Sequence, residues 1–278
     1  MKIGFITDST ASLPADLVAE FGIEVVPVRV VISGTSYAEG VDVSPDDVAS
    51  AFRSGKSVST SRPNSSEFIS AYQRMFESGY DHLISVHLSS ALSGTSDAAR
   101  LAVAKTDLPV QVIDSGTVGM AMGYAICSAA LLAKSGASVS EVVSHLETQC
   151  QNSKVYFHVN SLDYLRRGGR ISKIQNRIGS ALSLRPLLKI QNGEIAVQEL
   201  VRTNDRAIAR LIDLAVSNSS ESSKFAIMHV VASEQAQQIA SEIASKKPQA
   251  EVIVLPAGAV ISTHLGPRSI AVSINPSS

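Results

Sequence analysis

The sequence lacks the features that mark several common classes of protein. It contains no tryptophan, and aromatic residues make up only 5% of its 278 residues, so few side chains are present on which nucleic-acid bases could stack. Its formal net charge is −1, which indicates no basic surface for a phosphate backbone. We therefore do not expect nucleic acid among its partners.

Cysteine is also scarce. The chain has two, Cys127 and Cys150, and they form neither a C-x-x-C pair nor a Cys/His spacing that would bind a metal. Cys127 lies in apolar sequence, which predicts a small buried side chain. We expect no metal ion and a reducing, cytoplasmic location.

Nucleotide and membrane signals are missing as well. There is no Walker A run, kinase loop, G-x-G-x-x-G or H-E-x-x-H, so neither an ATP site nor a cofactor is expected. The uncharged segment 118–133 is shorter than the ~20 apolar residues of a membrane span and is rich in alanine and glycine, which favours a buried helix over membrane insertion. The apolar run at the N-terminus is too short for a signal peptide.

What is present is the pattern of an α/β protein. Hydrophobic residues make up 45% of the chain and charged residues 18%, which fits a globular protein. In the first half, strands alternate with helices, and this alternation indicates a right-handed parallel sheet. The predicted strands are 2–7, 23–32, 82–87 and 109–114. We assign residues 1–152 to this N-terminal lobe.

The pattern changes in the second half. Asn192-Gly193 is a strong hairpin signal between two strand-like runs. Further strands and helices follow, with strands predicted at 224–231, 251–256 and 269–274 and helices at about 203–217 and 234–246. We assign residues 153–278 to a C-terminal α+β lobe with a mixed sheet, and we expect a ligand tunnel between the lobes.

Three short segments rich in hydroxyl groups interrupt the apolar pattern. They span residues 59–64, 89–95 and 258–267. Hydroxyls and the imidazole of His264 are well suited to holding an oxygen-rich group at the mouth of an apolar space. Gly258, Gly266 and Pro267 predict a shaped loop around this histidine.

The positions of polar residues after strands support one common site. Residues 8–10, 89–95 and 114–115 all follow predicted strands. Because the carboxyl ends of parallel strands meet at one edge of a sheet, ligands gather there. The hydroxyl groups of these loops are therefore expected at the same edge.

The residues alone leave the chemistry of this site open. Ser93 and His264 could act as nucleophile and base of a serine esterase or thioesterase. However, Ala91 and Thr95 stand where a G-x-S-x-G nucleophile elbow has glycines. The same groups could instead hold a carboxylate or another small anion, such as a phosphorylated metabolite. His264 would then be either neutral and donating, or protonated and paired with the ligand.

Several motifs resemble one protein family in their order along the chain. They are Thr7-Asp8-Ser9-Thr10, Thr60-Ser61-x-Pro63, Ser93-Gly94-Thr95, the run 162–171 with its Arg-Arg-Gly-Gly-Arg, and the segment around His264. From Lys2 to about Val272 the chain resembles the DegV family, and in particular the fatty-acid-binding subunits of bacterial fatty acid kinase. The resemblance implies a carrier without its own ATP site. The carrier binds a long-chain fatty acid in an apolar tunnel and presents the carboxylate to a kinase subunit, which makes acyl phosphate.

The resemblance also implies roles for particular residues. We name as the clamp the residues matched to carboxylate binding: Thr60, Ser61, Ser93, Gly94 and His264. Possible additional contacts are Arg62, which stands where the family usually has glutamine, Thr95 and Thr263. Leu265 and Arg268 replace the family's usual threonine and glycine.

A basic loop is matched to partner docking. On charge alone, Arg166, Arg167 and Arg170 with Gly168-Gly169 would form a solvated turn. In the family, the matching Gly-Gly-Arg is implicated in docking to the kinase subunit. The resemblance thus implies that Arg170, with Arg166 and Arg167, contacts the kinase. We expect this loop to face solvent, away from the clamp.

Overall fold

The computed structural model describes residues 1–171 and 185–276, and within these ranges the strands form three sheets. The strands are β1 (Ile3–Asp8), β2 (Glu24–Val26), β3 (Arg29–Ile32), β4 (Thr35–Ala38), β5 (Val58–Ser61), β6 (His82–His87), β7 (Val110–Asp114), β8 (Lys154–His158), β9 (Arg185–Gln191), β10 (Glu194–Val201), β11 (Lys224–His229), β12 (Glu251–Pro256) and β13 (Ile270–Asn275). The helices are α1 (Ala15–Phe21), α2 (Pro45–Arg53), α3 (Ser65–Glu77), α4 (Thr95–Val103), α5 (Met120–Lys134), α6 (Val139–Asn152), α7 (Asp163–Arg167), α8 (Asn204–Ser217), α9 (Ser233–Lys246) and α10 (Ala259–Leu265).

Local capping signals determine where several helices begin. The hydroxyl of Ser44 accepts from the backbone N–H of Asp47, the Asp47 carboxylate accepts from the backbone of Ser44, and Pro45 is the first residue of α2. At α3 the carboxylate of Glu67 accepts from the backbone N–H of Asn64 at 2.8 Å. Both helices therefore begin at a residue whose backbone N–H is capped by an acidic side chain of the first turn.

The first sheet has the order β2-β1-β6-β7, and every neighbouring pair in it is parallel. Helices α5 and α6 pack on one face, whereas α3 and α4 pack on the other. The parallel sheet predicted for the first half of the chain is confirmed. The loops that follow β1, β6 and β7 leave the sheet at one edge, because parallel strands end on the same side.

The largest sheet is mixed, as predicted for the second half. Its order is β10-β9-β8-β13-β11-β12, in which β11 and β12 are parallel and the other pairs are antiparallel. Asn192 and Gly193 form the predicted hairpin turn with φ angles of 51° and 77°, values typical of the turn that Asn-Gly favours.

The prediction of one strand at 23–32 is wrong. The segment forms β2 in the parallel sheet and β3 in a separate sheet with β4 and β5. Pro27 lies between the two strands, and because proline has no N–H to donate, it interrupts a ladder of hydrogen bonds. This break allows the chain to move from one sheet to the other.

The loop predicted around His264 is also wrong, because the segment contains helix α10. Gly258 precedes the helix, and Gly266, with φ of 74°, ends it. The two glycines therefore mark the boundaries of a helix instead of shaping a loop. His264 lies in its last turn.

Helix α5 joins the two lobes. Met122 and Ile126 pack in the core of the parallel sheet, while Met120 and Tyr124 pack in the core of the mixed sheet. A helix that is buried on all sides needs the uniformly apolar sequence seen here. Cys127 is buried, as predicted. In the described part of the chain, no helix combines the length and apolar character needed to cross a membrane.

Candidate functional site

A cavity of about 300 Å³ lies between the parallel and mixed sheets. Much of its wall is apolar, including Leu92, Phe157, Leu165, Ile190, Met228 and Leu265. Its polar lining includes Thr60, Ser61, Arg62, Ser93, Arg170 and His264. The structure thus brings the three hydroxyl-bearing segments together at one cavity, although they lie far apart in sequence.

Thr60 and His264 are joined by a hydrogen bond. Thr60 lies on β5 and His264 on α10, and the distance from Thr60 Oγ1 to His264 Nε2 is 2.8 Å. Val30 of β3 and Val28, just before this strand, pack in one core with Val260 of α10, which holds helix and sheet together. The pair therefore depends on packing between two elements that are separate in sequence.

Glu39 fixes the start of α10. Its Oε1 accepts from the backbone N–H of Val260 at 2.8 Å, and its Oε2 accepts from the hydroxyl of Ser9. Burial raises the pKa of this carboxyl above its usual value, since the charged form is poorly solvated there. The anchored helix start helps to determine where His264 lies at the other end.

His264 has an electrostatic environment that favours the neutral ring. Burial, together with the positive charge of Arg170, lowers the pKa of His264 to about 4. Its Nδ1 atom is buried and has no hydrogen-bond partner among the described residues. The alternative of a protonated, ligand-paired histidine is therefore disfavoured in the ligand-free chain.

Ser93 is supported from within its own loop. Its hydroxyl lies 2.8 Å from the hydroxyl of Thr95, the buried first residue of α4. Arg62 crosses from the end of β5 to this loop, and its Nη1 donates to the carbonyl of Gly94 at 3.4 Å. Ser93, Gly94 and Arg62 line the cavity. Thr95, which was expected as a possible additional contact, is not among the lining residues and contacts Ser93 instead.

Asp8 organises the edge of the parallel sheet behind this loop. Its Oδ2 accepts from the backbone N–H of Leu88 at 3.1 Å, and its Oδ1 accepts from the backbone and hydroxyl of Thr10. His87 lies 3.1 Å from the same carboxylate and is fully buried. Asp8 therefore joins the carboxyl ends of β1 and β6, from which Thr10 and Leu88 reach the cavity.

Arg170 is not where the sequence prediction put it. We expected a solvent-facing residue away from the clamp, but Arg170 is only partly exposed and lines the cavity. Its Nε donates to the carbonyl of Leu92 at 3.0 Å and its Nη1 to the carbonyl of Gly168. The turn after α7 packs against the Ser93 loop, and Arg170 therefore lies at the cavity. Arg166 and Arg167 are exposed on α7, as expected.

Thr263 also departs from its predicted place. Its buried hydroxyl donates to the carbonyl of Ala259 at 2.8 Å, one turn back in α10. It is not among the residues that line the cavity. A helix places neighbouring residues on different faces, so Thr263 and His264 do not point the same way.

The geometry does not join Ser93 and His264 as nucleophile and base. In the described ranges, Ser93 pairs with Thr95, and His264 Nε2 pairs with Thr60. The other ring nitrogen of His264 faces Gly168 in place of a carboxylate that would orient a catalytic base. The arrangement resembles a set of donors for an oxygen ligand.

Most residues of the cavity wall could not be predicted from the sequence. Thr10 carried a signal, because it follows a predicted strand, but it was not singled out. The apolar lining residues carried none, since Phe157 or Met228 looks like any buried strand residue in sequence. Leu265, which replaces the family's usual threonine, is part of this wall. Arg268, in place of glycine, keeps a positive φ of 62°.

Comparisons with known proteins agree with the resemblance. The family model described as "Uncharacterised protein, DegV family" matches residues 2–277. A DegV domain-containing protein from Streptomyces coelicolor is 40% identical over 275 residues, which is 98% of each chain.

Two solved structures match over their full length. A DegV family protein from Thermus thermophilus, whose structure is described as showing fatty acid binding, has a TM-score of 0.93 and 29% identity, with 100% of both chains covered. DegV of Bacillus subtilis, described as a fatty acid binding protein, has a TM-score of 0.92 and 32% identity, again with 100% of both chains covered.

Proposed function

The chain belongs to the DegV family, and on that premise we propose that it binds a long-chain fatty acid. The acyl chain occupies the cavity between the sheets, and the carboxylate lies at its polar end. The observation that carries this proposal is one cavity with an apolar wall and converging hydroxyl, imidazole and guanidinium groups. The fatty acid binding described for the relatives from Thermus thermophilus and Bacillus subtilis supports it.

The clamp residues hold the carboxylate by hydrogen bonds. Thr60 and Ser93 supply hydroxyl donors, and bonds from such donors to a charged group are stronger than neutral ones. Arg170 contributes a positive charge from the same cavity, so in this proposal it attracts the carboxylate and is not a docking residue. Arg62, through its contact with Gly94, holds the Ser93 loop against β5.

In this proposal the chain presents the carboxylate of the bound acid to a partner. The chain acts in the cytoplasm as a carrier without an ATP site, and a separate ATP-binding kinase subunit phosphorylates the carboxylate to acyl phosphate. Arg166 and Arg167 support this part of the proposal, because they are exposed on α7 directly before the turn that reaches the clamp. A basic surface beside the site suits an acidic partner surface.

Replacement of Ser93 tests the binding proposal. Ser93→Ala removes one hydrogen bond to a charged group, so the free energy of palmitate binding should weaken by about 1.5–3 kcal/mol, which lowers the affinity roughly ten- to 150-fold. Isothermal titration of palmitate measures the change. The matched control is Ser90→Ala, an exposed serine of the same loop outside the cavity lining, which should bind like wild type.

Two outcomes of this experiment would contradict the proposal. If Ser93→Ala binds palmitate as wild type does, Ser93 is not a carboxylate ligand. If wild type instead hydrolyses acyl nitrophenyl esters, and both Ser93→Ala and His264→Ala abolish that turnover, the chain is an esterase.

A further inference from the structure

The two neighbouring glycines at the end of α7 are there for different reasons. Gly169 has φ of 73°, a backbone conformation that favours glycine. Gly168 has φ of −74° and ψ of −8°, which any residue adopts readily. The backbone therefore explains glycine at 169 but not at 168.

The space around Gly168 supplies the missing reason. A Cβ atom at this position would lie 2.2 Å from His264 Nδ1 and 2.7 Å from His264 Cε1, closer than non-bonded atoms can approach. A Cβ atom on Gly169 would meet no described atom within 4 Å. The ring of His264 thus occupies the place where a side chain of residue 168 would be.

A second close contact joins the same two helices, α7 and α10. A Cβ atom on Gly266, at the end of α10, would lie 2.2 Å from Cδ2 of Tyr164 in α7. Each helix therefore ends in a glycine that accommodates an aromatic ring of the other helix. Such reciprocal packing leaves the His264 ring little freedom to turn.

The turn also contacts the other side of the clamp. The carbonyl of Gly168 accepts from Arg170 Nη1, and Arg170 Nε donates to the carbonyl of Leu92, the neighbour of Ser93. The turn is consequently in contact with both His264 and the Ser93 loop. It is placed to set the distance between the two halves of the clamp.

The Gly168 contact also bears on which nitrogen of His264 carries the proton. Nδ1 faces the Cα of Gly168, which offers no acceptor, and Nε2 faces Thr60 at 2.8 Å. An N–H group buried without an acceptor is costly, so a neutral ring should carry its hydrogen on Nε2. Thr60 then accepts from His264, and its own hydroxyl hydrogen is free to donate into the cavity.

We infer that Gly168 is a positioning residue for the clamp: it holds the His264 ring in place as the Nε2–H tautomer, which directs the Thr60 hydroxyl toward a bound anion. Gly168 touches neither the anion nor the cavity and acts through His264. The identity of the anion as a fatty acid carboxylate rests on the proposed function. The state of the His264 ring does not depend on it.

Nitrogen NMR of ligand-free protein labelled at histidine tests the ring directly. Wild type and Gly169→Ala should show His264 with a protonated Nε2 and an unprotonated Nδ1. Gly168→Ala should shift both ring resonances, because the added methyl group displaces the ring. A wild-type His264 ring protonated on Nδ1 would overturn the inference, and this result does not require that any variant folds.

Palmitate titration with the same pair of variants tests the consequence for binding. Gly168→Ala should weaken binding about tenfold or more, the loss of roughly one hydrogen bond to a charged group, and it should also lower the melting temperature because the methyl group displaces a packed ring. Gly169→Ala should lower the melting temperature through backbone strain and leave the affinity unchanged. Equal affinities of wild type and Gly168→Ala would contradict the inference.

A double variant shows whether Gly168 acts through His264. In a His264→Ala background the ring is gone, so adding Gly168→Ala should cause no further loss of affinity. A further loss equal to that in wild type would overturn the positioning role. If wild type binds no palmitate, the proposed function fails, whereas the NMR result still decides the state of the ring.

Discussion

At the scale of single residues, His264 illustrates how surroundings select one of several possible chemistries. In sequence it could be a catalytic base, a charged partner for an anion or a neutral donor. The structure places Nε2 against Thr60, Nδ1 against Gly168 and the charge of Arg170 nearby. These contacts favour the neutral ring, and in the tautomer inferred above that ring donates from Nε2 to Thr60.

The pH dependence of stability provides a test at this scale. In the unfolded chain His264 takes up a proton near pH 6.5, whereas in the folded chain its pKa is lowered to about 4. Because only the unfolded state gains the proton between these values, wild type should lose stability as the pH falls from about 6.5 toward 4. His264→Gln lacks this contribution, so its free energy of unfolding should fall less over the same range.

Urea unfolding of ligand-free protein in steps from pH 7 to about pH 4.5 measures the difference. Contributions from the other histidines are shared by both proteins and cancel in the comparison. Parallel curves for wild type and His264→Gln would mean that the folded chain does not depress the pKa of this histidine.

At the scale of elements, helix α7 and the turn after it carry residues with two different proposed roles, partner docking and binding of the carboxylate. Its exposed face carries Arg166, while the turn that follows brings Arg170 into the cavity. The proposed docking role therefore stays with the exposed residues. Arg166 pairs only with Asp163 at 3.0 Å among the ion pairs of the described residues, an exposed contact that contributes little to stability.

Replacement of Arg166 should weaken docking without affecting fatty acid binding. In a reconstituted assay with the kinase subunit, Arg166→Ala should need a higher carrier concentration for half-maximal acyl phosphate formation, and added salt should mimic this effect in wild type. Arg100→Ala is the matched control, since Arg100 on α4 makes the same type of exposed pair with Asp97 at 3.2 Å. A defect of equal size in both variants, or a loss of palmitate affinity in Arg166→Ala, would argue against the docking role.

The elements that sequence predicts well are those with local signals. Capped helices such as α2 and the hairpin at Asn192-Gly193 carry their own start and turn residues. The division of 23–32 into two strands depends on Pro27 and on which sheet each half joins, so it was missed. Helix α6 was not predicted, although Ser138 and Glu141 form a capping box at its start.

The residues of the candidate site also fall into two groups, those with a local signal in the sequence and those placed only by tertiary packing. Ser93, Thr60 and His264 stand in polar segments and were found. The place of Arg170 depends on how the turn after α7 packs against the Ser93 loop, which no local pattern specifies. The steric need for glycine at 168 depends on a histidine 96 positions away in the chain, so it is visible only in three dimensions.

At the scale of the whole molecule, the cavity forms because the parallel sheet and the mixed sheet both pack against helix α5. Helix α5 packs in the cores of both, with Met122 in the first and Met120 in the second. Gly119, directly before α5, and Met228 of the mixed sheet both line the cavity. Two sheets held apart by a common helix can enclose an apolar space that neither would form alone.

The central claim is that this space holds a fatty acid by its carboxylate. Native mass spectrometry of the gently purified chain tests it most directly, because a tightly held ligand remains bound through purification. We predict one adduct per chain with the mass of a long-chain fatty acid, released on denaturation and reduced in occupancy in Ser93→Ala. Protein that carries a phosphorylated metabolite instead, or that neither carries an adduct nor acquires one on incubation with palmitate, would contradict the account.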